Sequence, residues 1–321
     1  MDKFDKDFYR ISKEKIKVII DTDPGVDDAA CLIYAFFDEN IDIKLLTTVV
    51  GNTTLDKTTR NLLHLMDLFK VNFPVARGAR KAMMRESINA EFIHQEEGLG
   101  GYCPPQVCSK KLLNEDAVEA MYKVLMEGDG DIIPIVLGPQ TNLGYLLSTH
   151  PDVIPKIPTI VFMGGSPYGH PDYPNHISFN ISSDPEAFNI VLASKIPLLM
   201  IPSDVGRRKA HLDEKFVTYL GTLNYAGKLL EQMYSKYWEP GYPDKRVATN
   251  DSLALFALVY PKMFKTEKVS IKVDLDSAPG KTLINFDGIG HVDMVTDVDR
   301  QAFLSLLISD LMKIPSKIFN D

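Results

Sequence analysis

The 321-residue sequence predicts an α/β fold, a mostly parallel central sheet flanked by helices on both faces. Three observations predict it. Short runs rich in Val and Ile alternate along most of the chain with stretches whose apolar residues recur at spacings of three and four. Those runs are almost continuously apolar, as strands covered on both faces are. No linker, repeat or low-complexity tract divides the chain, so residues 1–321 are expected to form a single domain, with 1–15 as a surface extension.

In chain order, residues 1–17 alternate charges with single apolar side chains and lack the apolar stretch of a secretory signal. Strands are predicted over 18–21, 44–50, 74–76, 132–137, 159–163 and 198–202. Helices are predicted over 27–37, 55–69 and 116–126; in the second, Leu62, Leu65, Met66 and Phe69 mark one face. Residues 205–249 are helical and aromatic (Tyr219, Tyr225, Tyr234, Tyr237, Trp238) before a loop of Pro, Gly and charged residues over 239–246. Residues 269–274 alternate apolar with charged side chains, which predicts a half-exposed strand near a sheet edge, and 299–314 read as a closing helix.

Composition limits the function. The chain is 45% hydrophobic and 24% charged, an ordinary globular profile, and its net charge of −8 argues against nucleic acid or an anionic membrane as partner. No apolar run approaches the roughly 18 residues of a membrane span, so a soluble, cytoplasmic protein is expected. Cys31, Cys103 and Cys108 form neither an even framework nor a zinc spacing, and are expected to be reduced thiols.

The strongest chemical signal is Asp21-Thr-Asp-Pro-Gly-Val-Asp-Asp28, between an apolar strand and an apolar-periodic helix. In parallel α/β sheets, ligands bind at the carboxyl ends of strands, where this loop must lie. Pro24-Gly25 forces a turn, and Asp27 and Asp28 fall at the helix start, where the dipole favours negative charge. Helix capping explains one or two of these acids. Four carboxylates in eight residues call for a cation, and oxygen ligands without nearby Cys or His favour a hard ion, Ca²⁺ or Mg²⁺. A dinucleotide site would need further glycines; an aspartyl-nucleophile phosphatase, which also opens with strand-Asp-x-Asp, is a fairer rival.

The element Asp21–Asp28, followed by Thr48-Val-Val-Gly-Asn52, Gly138-Pro-Gln-Thr-Asn142, Met163-Gly-Gly165, Phe179-Asn180, Asp184-Pro-Glu186 and Asn250-Asp251, resembles the inosine–uridine nucleoside hydrolase family. The blocks keep the family order over about residues 16 to 300. The resemblance implies a Rossmann-like, mostly parallel sheet and hydrolysis of the N-glycosidic bond of ribonucleosides in nucleoside salvage. It also implies a homodimer or homotetramer. Its ligand set implies Ca²⁺ on Asp23, Asp28, the carbonyl of Thr141 and Asp251, with a Ca²⁺-bound water activated by Asp23 as general base. Asp27, Asn52 and Asn180 match positions that grip the ribose hydroxyls, Met163 a residue lining the sugar pocket, and His94 a position near the site entrance. On the residues alone, Thr141-Asn142 reads as a helix N-terminus, Asn52 as a turn and His94 as a surface loop residue.

The sequence departs from the family in two substrate positions. Asn250 stands where many members carry a His that protonates the leaving base, and an Asn cannot act as an acid. Ser178 stands where a Glu usually binds the ribose 5′-hydroxyl, and the loop 166–175 also departs from the family pattern. Trp238, with Tyr234 and Tyr237, lies in the aromatic segment that could stack the base instead, although a helix face packed on the core explains each of them as well. Two other readings follow from these departures: a hydrolase of a riboside modified at its 5′ end, or a riboside-binding protein without turnover.

Overall fold

The computed structural model describes residues 6–10, 12, 14–86, 88, 90–105, 110–168, 177–238, 242 and 244–315. The apolar runs become β1 (Ile16–Thr22), β2 (Ile41–Thr48), β3 (Val75–Arg77), β4 (Ile132–Val136), β5 (Ile160–Met163) and β6 (Leu198–Ile201). All six run parallel in one nine-stranded sheet of order β10-β9-β11-β6-β5-β4-β1-β2-β3, once β9 (Phe264–Val273), β10 (Thr282–Asn285) and β11 (Val292–Val298) are added. β11 is parallel to β6, and only β9 runs against its neighbours. Strands β7 (Leu212–Asp213) and β8 (Arg246–Val247) form a separate small pair.

The predicted helices are α1 (Val26–Phe37), α2 (Leu55–Leu68) and α4 (Ala117–Glu127), with the short α3 (Glu91–His94) between the last two. After them come α5 (Thr141–Thr149), α6 (Phe179–Ser183), α7 (Pro185–Ala193), α8 (Ser203–Arg208), α9 (Glu214–Gly221), α10 (Tyr225–Tyr234), α11 (Asn250–Val259) and the closing α12 (Arg300–Leu311). Among the described residues no helix is long and apolar enough to cross a membrane. The N-terminal segment makes a 3₁₀ turn at Lys6–Tyr9 with Phe8 exposed, and Cys31 and Cys103 are unpaired thiols. Cys108, most of the loop 166–175 and part of 239–246 lie outside the described residues.

The predicted edge strand is one place in from the edge, because β10 pairs antiparallel along it. Strand β11 is the element the sequence pattern does not announce. Its run Val-Asp-Met-Val-Thr-Asp-Val carries two acids, yet it sits inside the sheet because Asp293 and Asp297 meet Lys268 and Lys265 of the antiparallel β9.

Apolar side chains pack on both faces of the sheet. On one face α1, α11 and α12 meet around Phe256, whose ring lies 5.7 Å from Tyr34, 6.0 Å from Tyr260 and 5.9 Å from Phe303. Phe256 is wholly buried. Phe256→Ala is therefore expected to cost about 3–5 kcal/mol, seen as a lowered urea midpoint with an unchanged slope. A wild-type midpoint would take the ring out of the core.

Candidate active site

The strand order gives the site its place. From β1 the chain steps outward to β2 and β3, then returns to the other side of β1 for β4, so the order reverses between β1 and β4. Loops leaving the carboxyl ends of two such strands diverge and open a crevice. The loop after β1 carries Asp23, and the loop after β4 carries Leu137 and Gly138.

Within the crevice the acids are held by short local bonds. Asp28 turns back over the start of α1, completing half of a capping box at Gly25. Its Oδ1 accepts from the Thr22 hydroxyl (2.6 Å) and the Asp23 N–H (3.2 Å). Its Oδ2 accepts from the Gly25 N–H (3.1 Å) and the Asn52 side-chain amide (2.8 Å). Asp23 Oδ2 accepts from the Asn52 N–H at 2.7 Å, whereas Oδ1, also buried, accepts no hydrogen bond among the described residues. Gly51 and Gly138 make room for this carboxylate, since a methyl group at either position would overlap it. Behind the site, Asp21 Oδ1 accepts from Thr47 and Asn142, and burial pushes its carboxyl up to about 7.

Asp27 and Asp251, from the first turns of α1 and α11, complete the group. One carboxylate oxygen each from Asp27, Asp28 and Asp251 lies within 4.8 Å of the others. Asp23, Asp27, Asp28 and Asp251 are at most 6% exposed. Burial pushes the Asp23 carboxyl up from its ordinary range, and Asp28, Asp27 and Asp21 add repulsion. Burial does the same to Asp251, helped by Asp27, Asp28 and Asp23. Oxygen-only donors, an orphaned Asp23 Oδ1 and mutual repulsion together fit a hard divalent cation.

The acids face a cleft. Asp27, Asn52, Met163, Ser178, Asn180, His94, Trp238 and Asn250 all line it, together with Asp28 and Asp251. Asp23 lies directly behind, joined through Asn52 and Asp28. The Asn180 amide donates to the carbonyls of Leu137 and Met163 and to the Met163 sulfur at 3.2 Å. Ser178 Oγ accepts from the Gly165 N–H at 2.7 Å. The His94 ring lies 4.8 Å from Tyr237, and its Nδ1 accepts from the Val26 N–H at 3.1 Å, one of the orphan amides at the start of α1. Tyr234, by contrast, is buried in the core and away from the cleft lining.

Thr141 requires a correction. It is the first residue of α5, where a carbonyl points along the axis toward the N–H four residues on. Its hydroxyl donates to Asp184 at 2.8 Å, and it does not line the cleft. Leu137, just after β4, lines the cleft and carries the carbonyl that Asn180 reaches. Two neighbouring motifs are also architectural: Asn142 ties Asp21 and the Thr48 carbonyl to Ala79, and Asp184 caps α7 while Glu186 pairs with Arg85. Arg207, on α8, lines the cleft although no motif in the sequence marks it.

Comparison with known proteins gives a consistent result. Residues 18–305 match the sequence model of the inosine-uridine preferring nucleoside hydrolase family. The chain is 32% identical to the non-specific ribonucleoside hydrolase RihC of Escherichia coli O127:H6, covering 94% of this chain and 100% of the relative. Its fold is similar to a plant nucleoside hydrolase, the PpNRh1 enzyme, with TM-score 0.85 and 28% identity over 92% of this chain and 99% of that one. It is also similar to a purine-preferring ribonucleoside hydrolase from Gardnerella vaginalis, with TM-score 0.83 and 26% identity over the same shares, 92% and 99%.

The buried acids set a pH dependence. Both Asp23 and Asp251 are raised in the folded state, so between the ordinary carboxylate range and their raised values the folded protein holds protons that the unfolded chain has lost. Their effect is absent below that range and destabilises increasingly as pH rises through the folded values. In chelator, Tm is expected to fall as pH rises above the ordinary carboxylate range; with a millimolar divalent cation that offsets the ionised carboxylates, the fall should shrink or reverse. A chelated Tm that climbs over this interval would contradict the repulsion.

Proposed function

The chain belongs to the inosine-uridine preferring nucleoside hydrolase family and hydrolyses ribonucleosides to base and ribose; from this premise we propose that Asp23 is the general base and Ca²⁺ the metal. The observation that carries the assignment is the buried Asp23 Oδ1, which accepts no hydrogen bond among the described residues while its partner oxygen is fixed by Asn52. Asp23, Asp28, Asp251 and the Leu137 carbonyl would hold the ion. When bound, Ca²⁺ would offset the carboxylate charge, help hold the vicinal diol and lower the pKa of a water.

The chain's own groups divide the remaining work. Asp27, Asn52 and Asn180 bind the 2′- and 3′-hydroxyls and fix the ring. Asp23 Oδ1 takes a proton from the attacking water as its oxygen bonds C1′ and the C1′–N bond breaks, through an oxocarbenium-like state. Met163 packs under the sugar. His94, Tyr237 and Trp238 stack the base, and Asn250 can donate a hydrogen bond to it but no proton. We assign the reaction to nucleoside salvage in a reducing cytoplasm, consistent with the unpaired Cys31 and Cys103. A homo-oligomer is part of this reading, supported by the exposed Leu283, Phe286 and Ile289 around β10.

Two measurements check the mechanism. Asp23→Asn, assayed at saturating Ca²⁺, is expected to lower kcat by about 10²–10⁴-fold, and near-normal kcat would move the base elsewhere. Because Asn250 cannot protonate the leaving group, p-nitrophenyl riboside should show a higher kcat than inosine. A higher kcat for inosine would reveal an efficient acid and remove the role given to Asn250.

A further inference from the structure

One face of α2 carries Lys57, Arg60, Asn61 and His64, at the spacing that aligns side chains along a helix. All four reach the loop that follows α3. Lys57 Nζ donates to the Glu96 carbonyl at 2.6 Å, Arg60 pairs with the Glu97 carboxylate, and His64 Nε2 shares a hydrogen bond with the Tyr102 hydroxyl at 2.8 Å. Asn61 is wholly buried, and both ends of its amide are used. Its N–H groups donate to the Glu97 carbonyl at 2.8 Å and the Pro24 carbonyl at 3.1 Å, and its Oδ1 accepts from Arg60 Nη2 at 3.2 Å. Asn61 thereby joins the loop after α3 to the acidic turn after β1.

The loop begins at His94. The next residue, Gln95, has φ of +66°, a conformation that a residue with a side chain keeps only where its surroundings hold it. Two backbone bonds, from the Gly98 N–H to the Gln95 carbonyl and from the Gly100 N–H to the His94 carbonyl, close the loop on itself. Against α2 the fit is tight: a methyl group at Gly98 would meet the Asn61 amide at 3.0 Å. The second anchor is His94, whose Nδ1 accepts the Val26 N–H and whose ring lies so close to Gly25 that a methyl group there would overlap it. The acidic turn and the loop are thus joined twice, once through the His94 ring and once through Asn61.

The two sides are not equally firm. The turn is also braced by Asp28, which accepts from Thr22, Asp23, Gly25 and Asn52. Losing the Asn61 donors therefore loosens the loop more than the turn, and with the loop the His94 ring, 4.8 Å from Tyr237. We propose that Asn61, which is not among the described residues lining the cleft, is a positioning residue for substrate binding: it sets the place of His94 and through it the surface on which the base stacks. The proposal rests on the reading in which His94 and Tyr237 stack the base.

Asn61→Leu keeps the size of the side chain and removes both donors. At saturating Ca²⁺ it should raise KM for inosine and uridine about tenfold with kcat held within about threefold, the split expected when base binding is lost and the reacting centre is kept. Ribose offers the diol without a base, so its inhibition constant should stay within about twofold of wild type. Lost stability alone would lower the active fraction, and so kcat, without moving KM. On a His94→Ala background Asn61→Leu should change KM by less than about twofold, because the two substitutions act through one side chain. Glu97→Gln, at a partly exposed position, releases only the Arg60 pair and should raise KM about threefold in the same pattern, which keeps the test available if Asn61→Leu does not fold. Unchanged KM in these variants, a ribose inhibition constant that rises in step with KM, or the full effect on the His94→Ala background would overturn the inference. A wild-type KM for His94→Ala would instead overturn the stacking role on which it rests.

Discussion

Four carboxylates packed where the strand order reverses, with almost no access to water, are the condition to which the surrounding structure answers. Burial, and after it the repulsion of neighbouring carboxylates, raises the Asp23 and Asp251 carboxyls above their ordinary range. Neighbouring groups act to hold the acids in place. Asp28 accepts four hydrogen bonds across the turn, Asn52 braces both Asp23 and Asp28, and the absence of side chains at Gly51 and Gly138 leaves the Asp23 carboxylate its place. What this bracing does not satisfy is Asp23 Oδ1. An arrangement of this kind costs stability unless a cation offsets the charge, the usual trade at pre-organised centres.

Legibility in the sequence followed how local each interaction is. The parallel strands and the acidic turn were readable because apolar runs and eight contiguous residues carry them. Thr141 was misassigned for a reason that is physical: a backbone carbonyl has no side-chain signature, so only the strand end and helix start, four residues apart, decide between Leu137 and Thr141. Arg207 could not be told from Arg208 in Ser-Asp-Val-Gly-Arg-Arg until the helical phase put one above Ser203 and left the other exposed. Strand β11 was hidden by its acids, whose partners lie some 25 to 32 residues away in sequence.

Asn250 shows how a substitution is absorbed by its neighbours. Its Oδ1 is buried without a hydrogen bond among the described residues and faces Gly206, where a methyl group would collide with it. The identity of residue 250 and the glycine on α8 are therefore coupled sterically, and a larger side chain at 250 would have to find its space toward the cleft. His94 offers no simple replacement acid. Accepting the Val26 N–H at Nδ1 leaves its proton on Nε2, and a charged imidazole would have to surrender that bond and leave the first turn of α1 unsatisfied.

The buried acids and the rest of the cleft lining come from different parts of the fold. The buried acids come from the loop after β1 and the first turns of α1 and α11, with Asp23 and Asp28 braced by the bonds to Asn52, Thr22 and Gly25. The aromatic part of the lining comes from α3 and the residues just after α10, and its Ser178–Gly165–Ser203–Arg207 hydrogen bonds from α8 and the turn after β5. The Asp23 carboxylate is anchored independently of that lining, by the Asn52 N–H and the space left at Gly51 and Gly138, on the loops after β2 and β4.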